Sequence, residues 1–79
     1  MEIIASILSV ARNGAAKTRI MYTAYVTFPQ SQSYLKLLID KGLLEYNGEK
    51  REYRTTAEGV DFLKRYEKMK STFDSDQIL

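Results

Sequence analysis

One short stretch fixes where a helix must begin. In Thr27-Phe28-Pro29-Gln30 a proline sits between two residues at capping-box spacing. A proline ring is tolerated in the first turn of a helix and breaks its middle. In Thr-x-x-Gln each of the two side chains satisfies a backbone N–H that the helix start leaves unpaired. Both signals predict a helix beginning at residue 27 or 28. Leu35, Leu38 and Ile39 follow as its inward stripe, and Gly42 stops it.

The flanking segments follow the same logic. Ile3, Ile4, Ile7, Leu8 and Ala11 recur at helical spacing before Gly14, predicting a helix over about residues 2 to 13. Arg12 suits the dipole at its end, a structural role. Ala15 to Val26 reads as a second, shorter helix with Ile20, Met21 and Ala24 facing inward. Leu43 to Tyr46 and Glu52 to Thr55 flank Asn47-Gly48, a hairpin signal. A two-residue loop would set Leu44 opposite Arg51. A four-residue loop, Asn47 to Lys50, would set it opposite Tyr53, which an aromatic–aliphatic cross-strand pair favours. Thr56 caps a last helix from about Ala57 to Thr72, with Gly59 allowing close approach. The segment DSDQIL lacks helical patterning, so the reading is a domain over residues 1–73 and a flexible tail over 74–79. The expected fold is mainly α with a small β-hairpin: three helices, the second and third joined by a tight turn, then a hairpin wing and a C-terminal helix, the order of a winged helix-turn-helix.

Composition narrows function. At 79 residues one domain is expected, burying about 60% of its unfolded surface, a thin margin that a second subunit would widen. Histidine and cysteine are absent, which removes the usual general base, the commonest metal ligand and any thiolate site. No glycine-rich phosphate loop occurs either. The expectation is therefore no catalysis, no metal, no cofactor and no evident small-molecule ligand. No apolar run approaches the roughly 20 residues of a membrane span, and the N-terminus lacks the basic region of a signal peptide. No membrane association is expected, and the expected location is cytoplasmic, with the nucleoid. Residues 1 to 42 carry Arg12, Lys17, Arg19, Lys36 and Lys41 against Glu2 and Asp40, a balance of +3, while the remainder is −1. This mild basic bias fits a nucleic-acid partner and also fits ordinary surface charge.

Three runs carry a resemblance: KTRIMYTAYVT (17–27), YLKLLIDKGLL (34–44) and EYRTTAEGVDFLKRY (52–66). Together they resemble the small archaeal winged-helix DNA-binding proteins over about residues 3 to 66. The resemblance implies a double-stranded DNA partner, a homodimer, and a role as transcriptional regulator or chromatin-associated protein. Two features depart from it. The C-terminal helix, read as about four turns, is shorter than the coiled-coil helix of the chromatin members, and Phe28-Pro29 occupies an unexpected place before the recognition helix.

On the helix after Thr27, Gln30, Ser33 and Leu37 lie opposite the inward stripe, with Gln32 and Lys36 on one flank. Glutamine pairs with adenine, serine bonds a base or phosphate, and leucine meets a thymine methyl. A solvated helix face would carry similar residues. Phosphate contacts are expected from Lys17, Thr18 and Arg19 at the start of the second helix, where free N–H groups and the dipole favour an anion. They are also expected from Lys50, Arg51 and Arg54 in the wing. Phe62, Tyr66, Met69 and Phe73 on the last helix, spaced 4, 3 and 4, suggest the homodimer seam. Folding back onto the first helix is the alternative for Met69 and Phe73. Of the six tyrosines, Tyr34, Tyr53 and Tyr66 sit at positions that read as packed, and Tyr22, Tyr25 and Tyr46 are freer but form no obvious platform for single strands. The rival function is a winged-helix protein–protein interaction module without DNA binding.

Overall fold

Helix-stopping residues cut the chain into the expected order. The computed structural model describes residues 2–78, and the side chains of residues 2–72. Helix α1 spans Glu2–Val10 and tightens into a 3-10 turn, Ala11–Asn13; α2 spans Lys17–Ala24 and α3 Phe28–Asp40. Strands β1 (Leu44–Asn47) and β2 (Glu52–Thr55) form an antiparallel hairpin, and α4 runs from Ala57 to Ile78. This is a winged helix-turn-helix.

The core is aliphatic and small. Ile7 and Leu8 of α1 lie at its centre, enclosed by Ile20 and Ala24 of α2, Leu35 and Leu38 of α3, Leu44 of β1 and Leu63 of α4, with Ala11, Ala15 and Val26 filling gaps. Ile39 was expected inside and is not: it is 39% exposed. The buried stripe of α3 runs instead through Ser31, Leu35 and Leu38. Ser31 tolerates full burial because its Oγ donates to the Phe28 carbonyl at 2.7 Å.

The hairpin register also differs from expectation. Leu44 pairs with Thr55, not with Tyr53 or Arg51, and Tyr46 pairs with Tyr53. The loop still has four residues but lies one position later, over 48–51, since Asn47 pairs with Glu52. Two long-range ties set this. Ala15 and Tyr53 exchange both backbone hydrogen bonds at 2.8 Å. The buried Thr55 hydroxyl donates to the Leu8 carbonyl at 2.6 Å. Gly14, at φ +93°, turns the chain into the Ala15 bridge, and a Cβ there would meet the Glu52 carboxylate at 2.6 Å.

Helix α4 outruns the expected end at Thr72 and reaches Ile78; its 22 residues span about 33 Å at 1.5 Å each. Its start is tightly fixed. Thr56 Oγ1 accepts from the Gly59 N–H at 3.0 Å and donates to the Gly42 carbonyl at 2.6 Å. Gly59 lies against the Leu43 carbonyl, where a Cβ would collide with backbone oxygen. No helix among the described residues is long and apolar enough to cross a membrane. Gly59→Ala is expected to destabilise the fold by about 2–3 kcal/mol, since backbone must move to admit the methyl; urea unfolding of the two proteins measures it.

Candidate functional site

The capped start of α3 decides which of its polar groups are free. Thr27 Oγ1 accepts from the Gln30 N–H at 3.3 Å, and Gln30 Oε1 accepts from the Thr27 N–H at 2.9 Å. The capping box is therefore complete. The box occupies Gln30 Oε1, one of the two atoms that bidentate pairing with adenine would need, so base reading by Gln30 would have to open the cap. Ser33 is similarly engaged: its Oγ donates to the Pro29 carbonyl at 3.3 Å, leaving only lone pairs to offer. Gln32 and Lys36 are exposed, with no side-chain bond among the described residues, and Leu37 is 43% exposed beside them.

Helix α2 contributes unequally. Lys17 at its first position holds its ammonium 3.8 Å from the centre of the Phe28 ring, a cation–π contact joining the starts of α2 and α3. Lys17, Gln32 and Lys36 line one hollow of about 330 Å³, walled by Leu35, Ile39, Asp40 and Tyr53 of β2. Arg19 lies elsewhere, lining a separate groove of about 850 Å³ with Ser6 and Ser9 of α1 and Tyr66 and Lys70 of α4. Residues two apart on a helix differ by about 200° in direction, which is why Lys17 and Arg19 diverge. Thr18 is exposed, and Ala16 gives the helix no side-chain cap.

Tyr53 joins hollow and wing. Its ring lies 4.8 Å from that of Tyr46, centre to centre, at a tilt of 49°. Burial, and secondarily Tyr46, raises its hydroxyl above the ordinary tyrosine value, so it remains a protonated donor throughout the neutral range. At the wing tip Asn47 Oδ1 accepts from the N–H groups of Glu49 (3.0 Å) and Lys50 (3.3 Å), an Asx turn that projects Lys50. Arg51 follows in a left-handed backbone at φ +52° and is exposed. Arg54 is partly neutralised by Glu52, 3.8 Å away.

The expected seam on α4 divides. Phe62 packs against the core and Tyr66 is half-buried beside the α1 groove, while Met69 is 51% exposed. The side chain of Phe73 lies outside the described residues. Lys70 Nζ reaches Glu2 at 3.5 Å, drawing α4 across the start of α1. Sequence reasoning missed the contact of Phe28, which needs Lys17 from another helix, while Tyr22 and Tyr25, read as freer tyrosines, are exposed.

A family model described as winged helix-turn-helix matches residues 1–73. Among solved structures, the chain is similar to Sso10a-2, a DNA-binding protein from Sulfolobus solfataricus. The TM-score is 0.73 and the identity 24%, over 96% of this chain and 85% of that one. At that identity the likeness shows a shared fold. No curated protein matches. Thr27→Ala, which removes half of the capping box, is expected to lower stability by about 1 kcal/mol; thermal melting beside the parent protein checks it.

Proposed function

We propose that this chain, which belongs to the winged helix-turn-helix family, binds double-stranded DNA by laying α3 in the major groove. The observation that carries the reading is the hollow where α2, α3 and the wing meet. It gathers Lys17, Gln32 and Lys36 beside the exposed flank of α3. The fold it shares with a DNA-binding protein supports the same reading. Lys17 and Lys36 meet phosphates flanking the groove, and Gln32 and Leu37 meet base edges. Lys50 and Arg51 reach the backbone beyond the wing.

The role is that of a transcriptional regulator or chromatin component, as in the archaeal proteins the sequence resembles. We assign the homodimer to α4. Its length carries it past the core contact at Leu63, and its exposed Met69 is apolar surface that a second copy would cover. One observation favours the rival, a protein–protein module: Leu37 and Ile39 are both substantially exposed on α3. Salt separates the two, because phosphate contacts release counterions and an apolar interface does not.

Binding of a random-sequence duplex is expected to weaken steeply as salt rises, and Lys17→Ala and Lys36→Ala should each reduce the log–log slope by about one. An unchanged slope in both variants would remove the hollow from the interface. Met69→Glu is expected to shift the mass in solution from dimer to monomer while the circular dichroism of the fold is kept; a persisting dimer would place the seam elsewhere.

A further inference from the structure

The turn between α2 and α3 holds a residue that the fold alone does not account for. Tyr25 adopts a left-handed backbone, φ +57°, ψ +45°. A bulky side chain there costs on the order of 1 kcal/mol relative to glycine, the residue that usually occupies such a helix end. The turn itself is dictated by its surroundings. The N–H groups of Tyr25 and Val26 both donate to the Met21 carbonyl, Val26 is buried in the core, and Thr27 is locked into its capping box. None of these uses the tyrosine side chain, which is 93% exposed. It makes no hydrogen bond or aromatic pair among the described residues. Strained positions held by their surroundings cluster at functional sites, and an exposed aromatic fills this one. The other non-glycine residue with positive φ among those described is Arg51 at the wing tip, also exposed. Phe28, three residues on, is also exposed and carries the Lys17 ammonium over its ring.

We infer that Tyr25 is a DNA-contact residue whose phenol hydroxyl donates to a backbone phosphate, with the ring lying along the adjacent sugar. The inference rests on the duplex-binding reading above and adds to it a neutral contact at the start of the recognition helix. Because the contact carries no charge, it strengthens binding without steepening its salt dependence.

The test measures melting, mass in solution and duplex affinity at several salt concentrations for the full chain and for Tyr25→Gly, Tyr25→Asn and Tyr25→Phe. Glycine and asparagine relieve the left-handed strain, so both variants are expected to melt no lower than the parent. Both should bind the duplex about tenfold more weakly with an unchanged salt slope. Tyr25→Phe, which keeps ring and strain, should lose most of the same affinity. Parent-like binding by the glycine and asparagine variants overturns the inference and leaves the duplex reading standing. Parent-like binding by Tyr25→Phe overturns the hydroxyl contact. A changed mass in solution assigns the ring to a protein interface instead. If the parent binds no duplex even at low salt, the duplex reading falls and this contact with it.

Discussion

The Leu43 carbonyl is the joint from which the rest hangs. Leu43 closes α3 by donating its N–H to the Leu38 carbonyl at 2.9 Å, and its own oxygen accepts from the Thr56 N–H at 3.1 Å. Beside it Gly42 takes φ +76°, and its carbonyl accepts the Thr56 hydroxyl, while Gly59 lets the first turn of α4 close onto the same strand of backbone. The end of the recognition helix, the base of the wing and the start of α4 are thus one hydrogen-bonded knot. A domain this small has little apolar surface with which to hold such elements apart. Backbone bonds at fixed spacing do it instead, and they set the angle between α3 and the wing.

A second tie holds the wing from the other side. The Ala15–Tyr53 bridge and the Thr55–Leu8 hydrogen bond fasten β2 to the segment between α1 and α2. The hairpin is therefore anchored at both its ends of sequence, to α3 through β1 and to the helical body through β2. Lys17 begins α2 two residues after Ala15, and its ammonium lies over the Phe28 ring at the start of α3. Hollow, wing and recognition helix share one rigid frame.

What was legible in the sequence was what local chemistry decides. The start of α3 was readable because Thr27, Pro29 and Gln30 act on one another within a single turn, and the Thr56 cap was readable for the same reason. The hairpin's existence was readable from Asn47-Gly48. Its register was not, since Ala15 and Leu8 decide it from far away in the chain. Ile39 could not be told from a core residue by spacing, because Ser31, polar by type, took the inward position once the Phe28 carbonyl satisfied it. The full length of α4 was hidden because a helix can continue without an apolar face once its start is fixed, given side chains of moderate propensity. At the site, Gln32 and Lys36 were readable as neighbours on one flank of α3, whereas Lys17 joins them only through the packing of α2 on α3. Gln30 was assigned two tasks by the same pattern, and the cap takes the oxygen that base reading requires. Arg19 was grouped with Lys17 by proximity in sequence, whereas helical geometry sends them to different grooves.

Charge then constrains how such a surface can hold a duplex. In the wing Lys50, Arg51 and Arg54 are matched by Glu45, Glu49 and Glu52, three against three, and Asp40 sits in the hollow with Lys17 and Lys36. On the duplex-binding proposal four cations, Lys17, Lys36, Lys50 and Arg51, would meet phosphates, so binding would fall with salt while charge alone would supply only part of the affinity. Binding tight enough to be useful must draw on contacts that carry no charge: an amide such as Gln32, an apolar side chain such as Leu37, backbone N–H groups at the uncapped start of α2, and hydroxyls near the phosphate rows. Such contacts are directional and short-ranged, so they hold only if α3, the turn before it and the wing do not move relative to one another. The knot at Leu43 and the bridge at Ala15 supply that rigidity, and a second copy joined through α4 would double the contacts without adding a single cation to the domain.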